Sequence, residues 1–316
     1  MLSEELLGEG RICVVGNICR DVKTAPFRAG PGLTQDGETP VDSITETVGG
    51  GGANSAFASA ALGAKVAFVG KVGTDALGER LEAALRRYGV EAYLRRDPKH
   101  PTGNSLALTY ASGQRHFLSC QPNNASLAFE DLDLRALNGL SHLFRADIWF
   151  SEAMLYVGNE RLFRTARDLG MATSIDLNWD PQWGIAQPEE VRKRKAAVRA
   201  VLGLVDLAHG NVRELIEFAD AVDLDQALKR LEGWGVKAVV VHMGSAGAGF
   251  YSSGNLTIAP AVPTSSQVQA TGTGDVLSVC MMLLHSVPDA RAKLELANRI
   301  VSEFIAGHRN LIPSLL

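Results

Sequence analysis

From residue 146 onward the chain alternates short β-rich runs with helical ones, and this rhythm limits the available folds more than any other feature. "ADIWF", "ATSIDL", "LVDLAHG" and "KAVVVHM" read as strands, and between them "NERLFRTARDLG", "PEEVRKRKAAVRAVLG", "NVRELIEFA" and "DQALKRLEGWG" carry helical periodicity. Strands separated by helices imply a parallel sheet covered by helices on both faces. Upstream, "RICVVG" and "KVAFVG" read as strands, "ANSAFASAALGA" as a helix of small residues ending at Gly63, and "TDALGERLEAALRRYGV" as an amphipathic helix capped by Thr74. Helices from Gly274 and around Ala290 complete the layer. Two segments, 22–48 and 91–121, fall outside the rhythm. The first is rich in Pro, Gly and polar residues and runs into the alternating "ITETV"; the second holds "EAYLRR" and a hairpin turning at "ASGQ". The expected fold is one doubly wound α/β domain over 1–316, with a mostly parallel sheet and the two β excursions forming a flap. Such sheets bind ligands beyond the carboxyl ends of their strands.

Charge and composition narrow the function. The net charge is −4, with no basic excess to recruit nucleic acid. The densest basic run, "RKRKAAVR", follows "PEE" in a helical pattern and reads as a solvated helix face. No stretch approaches the about 20 apolar residues of a membrane span, and "MLSEELLGEG" lacks the features of a secretory signal. Cys13, Cys19, Cys120 and Cys280 have no metal-ligand spacing, and Cys13 and Cys280 sit in apolar runs as buried thiols do. A cytoplasmic protein is expected. The histidines show no HxH or HExxH spacing.

Four motifs carry candidate chemistry. In "GTGD", Gly272 and Gly274 permit a tight turn before an apolar helix whose first N–H groups lack partners, a place for anions. Asp275 at its entrance could accept a proton from an attacking hydroxyl, as phosphoryl transfer requires, or could simply cap the helix. "VGGGGANSAFASAALGA" exposes bare backbone at residues 49–52 and opens a helix at Asn54, which suits a small-molecule site or tight packing equally well. In "HGNVRELIEF", Asn211 and Glu214 have capping-box spacing; the alternative is an amide and a carboxylate facing phosphates through hydrated Mg²⁺. "VHMGSAGAGFY" is a turn, or a glycine backbone on which a nucleotide lies. Neither the dinucleotide fingerprint nor a P-loop is present.

In this order the pieces resemble the ribokinase-like (PfkB) family of sugar kinases over essentially the whole chain. "GNICRD" is similar to the family's first strand and sugar-binding aspartate, here Asp21. "GGGGANSAFASAALGAKVAFVGKVGTDALGERL" resembles its first signature, which sets Gly50, Gly51 and Asn54 against the sugar. "NVRE" matches the N-x-x-E motif, carrying over Asn211 and Glu214, with Glu214 holding Mg²⁺ through water. "VVVHMGSAGAGFY" resembles the strand and glycine turn beside the nucleotide, with His242, Gly244 and Gly247. "GTGD" matches the core of the second signature.

The resemblance implies ATP and Mg²⁺ as cosubstrate and cofactor. It makes Asp275 the base and the amides of Gly272, Thr273, Gly274 and Asp275 the anion hole. Asn298 falls on the adenine side and Glu152 becomes a further sugar contact. The two β excursions become a lid that excludes water and pairs with a second subunit's lid. Gln269 and Ala270 replace the family's Asp-Thr, which puts a K⁺ requirement in question. "IDLNWDPQWG" is similar to the D-x-N…W segment of fructokinases and ketodeoxygluconate kinases, but Asp180 stands near the place of their arginine, which favours a neutral sugar over a sugar acid. The implied function is ATP-dependent phosphorylation of a small sugar. A nucleoside kinase of the same fold and a regulatory protein that has lost catalysis are the alternatives.

Overall fold

The computed structural model describes residues 2–28, 30, 33, 35–112, 114–264 and 271–313. Its strands, in chain order, are β1 (Arg11–Val15), β2 (Cys19–Thr24), β3 (Ile44–Gly49), β4 (Lys65–Gly73), β5 (Glu91–Asp97), β6 (Asn104–Thr109), β7 (Arg115–Cys120) and β8 (His142–Arg145), followed by β9 (Ala172–Asp176), β10 (Leu207–Asn211), β11 (Ala238–His242), β12 (Ala248–Ser252) and β13 (Asn255–Ala259). Nine of them form one sheet in the order β13-β12-β11-β10-β9-β8-β1-β4-β5. β1, β4, β5, β8, β9, β10 and β11 are parallel, and only β12 and β13 run antiparallel at one end. The continuous apolar runs of β1 and β11 follow from burial on both faces. One hydrophobic core lies under the helices Gly51–Ala61, Thr273–Leu283 and Ala290–Ile305, and a second under Asn159–Asp168, Pro188–Val201, Val212–Ala219 and Leu224–Gly233. Among the described residues no helix is long and apolar enough to cross a membrane.

β1 is the switch point. It pairs with β4 on one side and β8 on the other, so the chain winds away in both directions, and the space beyond the ends of β1 and β8 is where such sheets place a ligand crevice. The remaining four strands form a separate sheet, β3-β2-β6-β7. The hairpin at "ASGQ" joins β6 and β7 in register, from Asn104 opposite Cys120 to Thr109 opposite Arg115.

Several sequence expectations need correction. "EAYLRR" does not join the flap: as β5 it pairs in parallel with β4 and forms the edge of the main sheet, because a helix, Ala76–Arg87, returns it there as a βαβ crossover does. The small sheet therefore takes strands from 19–24, 44–49, 104–109 and 115–120. "ADIWF" is not a strand. β8 ends at Arg145, and Asp147 adopts a left-handed backbone (φ 53) that no strand can continue through. The Ala76–Arg87 helix is capped by Asp75, whose side chain accepts from the Gly78 N–H at 2.9 Å, not by Thr74. Finally, the basic run is only partly a solvated face. Arg194 and Lys195 are buried: Arg194 pairs with fully buried Asp180 at 2.7 Å, and Lys195 pairs with Asp220 at 2.7 Å and Glu217 at 2.9 Å. Gln269 and Ala270 lie outside the described residues.

Candidate active site

The crevice is built at the switch point. Asn17 leaves β1 there, and its backbone N–H donates to Asp147 Oδ2 at 2.9 Å. The same carboxylate accepts from the backbone N–H groups of Gly51 at 3.2 Å and Gly52 at 2.8 Å. Gly50, which precedes them, has φ 98, and a Cβ on it would stand 2.3 Å from the Asn17 carbonyl oxygen. This glycine turn thus packs backbone against backbone with no room for a side chain. Asp147 anchors the start of the Gly51–Ala61 helix, and that helix presents Asn54.

Opposite lies the helix Thr273–Leu283, entered through Gly272 in a left-handed conformation (φ 85). A Cβ on Gly272 would lie 2.4 Å from the Ile312 side chain, so the chain's late segment closes over this turn. The first N–H groups of the helix have no intrahelical acceptor. Asp275 sits in that first turn and accepts from Asn54 Nδ2 at 2.9 Å. Burial pushes the Asp275 carboxyl up to about 7; the Asn54 hydrogen bond opposes the shift, while Asp147, Glu214 and Asp21 add to it. His242, at the end of β11, lies under the same turn. Its Nδ1 is 3.2 Å from where a Gly274 Cβ would be, its Nε2 is 3.2 Å from Ser278 Oγ, and burial lowers its pKa to about 4.

Asp21 on β2 brings the small sheet to the crevice. Its carboxylate packs on Gly49, where a Cβ would meet it at 2.2 Å, and lies 3.8 Å from Lys23. Burial raises its pKa. Asn211 and Glu214 form the reciprocal capping box, with the Asn211 N–H to Glu214 at 2.8 Å and the Glu214 N–H to Asn211 Oδ1 at 2.9 Å. The capping reading of that motif therefore holds. Burial nevertheless raises the Glu214 pKa, and Glu214 is close enough to act electrostatically on Asp275. Gly244 and Gly247 bracket the turn from β11 to β12, closed by the Met243 N–H to the Gly247 carbonyl at 3.0 Å.

Two expected positions are differently occupied. Asn298 gives its amide to the Ala259 and Pro260 carbonyls, each at 3.0 Å, which ties helix Ala290–Ile305 to the end of β13. Glu152 is not gathered into the crevice: its side chain is 74% exposed and lies 4.0 Å from Arg194. Two carboxylates escaped the sequence reading. Asp147 was hidden inside an assumed strand. Asp176 ends β9, and burial, together with Glu214, Asp275 and Asp147, holds it well above the usual carboxylate range. A carboxylate at the carboxyl end of a parallel strand was signal enough to single it out.

The donor set fits a polyanion and a hydrated divalent ion. The open helix N-terminus and the left-handed Gly272 suit phosphate oxygens. Among the described residues no three His, Cys, Asp or Glu side chains converge as a direct metal cage. With one Glu214 oxygen already on the Asn211 N–H, an ion held through water is what these residues fit.

Residues 10–282 match the family model described as pfkB family carbohydrate kinase. The chain belongs to that family. Over 246 residues this pfkB chain is 26% identical to a fructokinase of Vibrio alginolyticus, covering 74% of the chain and 75% of the relative. Over 282 residues it is 24% identical to a ribokinase of Arabidopsis thaliana, covering 84% of the chain and 68% of that protein. A 120-residue match, 37% identical, to the bifunctional protein HldE of Bradyrhizobium spans 37% of the chain and only 24% of that longer protein. Among solved structures, Arabidopsis ribokinase complexed with ribose and ATP superposes with a TM-score of 0.74 at 19% identity, covering 97% of the chain and 96% of the match. Adenosine kinase from Sinorhizobium meliloti gives 0.77 at 19% identity, covering 94% of each chain. At such identities the structural likeness speaks for the fold.

Proposed function

We propose that this protein transfers the terminal phosphoryl group of ATP to a hydroxyl of a small sugar, with Asp275 as general base. The observation that carries the reading is the placement of Asp275. A carboxylate whose proton affinity burial raises to about neutral pH stands in the first turn of a helix, where the leading N–H groups have no intrahelical acceptor and the helix dipole favours anions. The acceptor hydroxyl gives its proton to Asp275, and its oxygen forms the new bond to the terminal phosphorus. The bond from that phosphorus to its bridging oxygen breaks, and ADP leaves. The amides of Gly272, Thr273, Gly274 and Asp275 bind the migrating charge. Asp21, Gly50, Gly51 and Asn54 orient the sugar. His242, Gly244 and Gly247 border the nucleotide. Glu214 and Asn211 would hold Mg²⁺ through water, where it would screen phosphate charge.

The small sheet serves as a lid on one α/β domain. Its edge strand β7 carries exposed Phe117 and Leu118, a feature that supports pairing of two lids. The working compartment is the cytoplasm.

Coupled ADP release across neutral sugars, phosphorylated sugars and nucleosides tests the reading, run with and without K⁺. Turnover on a sugar, lost by at least roughly a hundredfold in Asp275→Asn, is expected. Turnover on nucleosides alone would transfer the assignment to a nucleoside kinase. Sugar binding by calorimetry with no ADP release in the wild type would mark a regulatory protein instead.

A further inference from the structure

Asn54 enters the family reading as a sugar contact, yet the side chain it touches is the base. Its Nδ2 donates to Asp275 Oδ2 at 2.9 Å across two packed helices, Gly51–Ala61 and Thr273–Leu283. Asn54 is itself only 8% exposed, so little water is at hand to replace this bond. The helix presenting it is fixed at its first residues, where the Gly51 and Gly52 amides are locked on Asp147.

We infer that Asn54 is the positioning residue of the catalytic base: it selects which oxygen of Asp275 faces the acceptor hydroxyl and holds that carboxylate ready to ionise at working pH. An amide N–H can bond only the oxygen it reaches, so Oδ2 is pinned and Oδ1 remains to take the proton. The donor also stabilises the charged form of Asp275. The carboxylates around Asp275 oppose that form. Asp147 presses on it from the end of β8, Asp176 from the end of β9, Glu214 from helix Val212–Ala219 and Asp21 from β2. His242, under Gly274, is held neutral by burial and offers no counter-charge, and Arg115 reaches the neighbouring Thr271 from the small sheet. Asn54 is thus the side chain whose hydrogen bond to Asp275 offsets this crowding.

The inference rests on the kinase reading for its consequence in catalysis, but its physical content can be measured without turnover. The first readout is the titration of Asp275 by carboxyl ¹³C NMR, assigned by loss of its signal in Asp275→Asn. In Asn54→Ala the midpoint is expected to rise by about one pH unit, a tenfold gain in proton affinity. Asn54→Ser keeps a small donor and serves if the alanine variant folds poorly; its midpoint should fall between the two. A folded variant whose Asp275 titrates as in the wild type overturns the inference.

The second readout is the pH profile of kcat/KM on whichever acceptor the panel identifies. Its acid limb should move up with the NMR midpoint in Asn54→Ala. A uniform loss with an unmoved limb would mean that Asn54 only binds sugar, and would also overturn the inference. If no acceptor supports ADP release, the kinase reading fails while the NMR result still decides the role of Asn54.

Discussion

Arg115, on the outer strand of the small sheet, donates to the Thr271 hydroxyl, one residue before the turn that opens the helix of Asp275. Thr271 is thus a contact between the small sheet, proposed as the lid, and the turn proposed to bind phosphate. Were the small sheet to close as a lid, this contact would couple it to the turn that opens the helix of Asp275.

Arg115→Ala should therefore loosen closure without unfolding the protein. A roughly tenfold fall in kcat/KM, with a larger share of ADP released in the absence of acceptor, is expected because water gains entry. The coupled assay with and without sugar measures both quantities. Equal values in variant and wild type would show that the contact has no part in closure.

Asp275→Asn should make the protein more stable above neutral pH. In the folded chain burial keeps Asp275 protonated up to about pH 7. Unfolded, it ionises near 4. Between these values the native state binds more protons, so its stability falls as pH rises. The asparagine variant loses this slope and should exceed wild type by on the order of 1–2 kcal/mol at pH 8, and by little at pH 4. Thermal or urea unfolding at both pH values is the check.

Asp97, at the end of β5 where the chain turns toward the small sheet, has the opposite sign. Burial pushes its pKa up, but hydrogen bonds from Ser126, His100 and Lys99 and the Lys71 charge outweigh that and hold it below the ordinary range. Its contribution is present above the unfolded value and disappears as pH falls through the folded one. Asp97→Asn should cost about 1–3 kcal/mol at pH 7 and converge on wild type in strong acid. Urea midpoints across that range would reveal whether the two curves meet.

Arg194→Ala should destabilise by about 3–5 kcal/mol, since it strands Asp180 in the interior without its partner. The pair Arg194→Met with Asp180→Leu should recover most of the loss. Denaturation midpoints of the single and double variants decide the point, and a mild single variant would mean that solvent reaches Asp180.

Much of this was legible in the sequence, for physical reasons that differ from place to place. The parallel strands were readable because burial on both faces makes them apolar throughout, and Asp275 because a glycine pair before an apolar helix leaves few other conformations. Arg194 was not, since a helical pattern of charges does not say which of them a neighbouring segment will cover; Asp180 lies 14 residues upstream. β5 resembled the flap strands because an edge strand of the main sheet is as polar as they are. Glu152 sat close in sequence to the crevice, but the turn after Asp147 directs its side chain to solvent.

Asp147 meets two demands at one position. Its backbone is left-handed, a shape that Asn tolerates but longer side chains resist, while both its oxygens accept from the Asn17, Gly51 and Gly52 amides. Asparagine would suit the twist but turn a donor toward those amides; glutamate would keep the acceptors but fight the twist. Any redesign of acceptor preference has to leave this aspartate in place and reshape the walls around it.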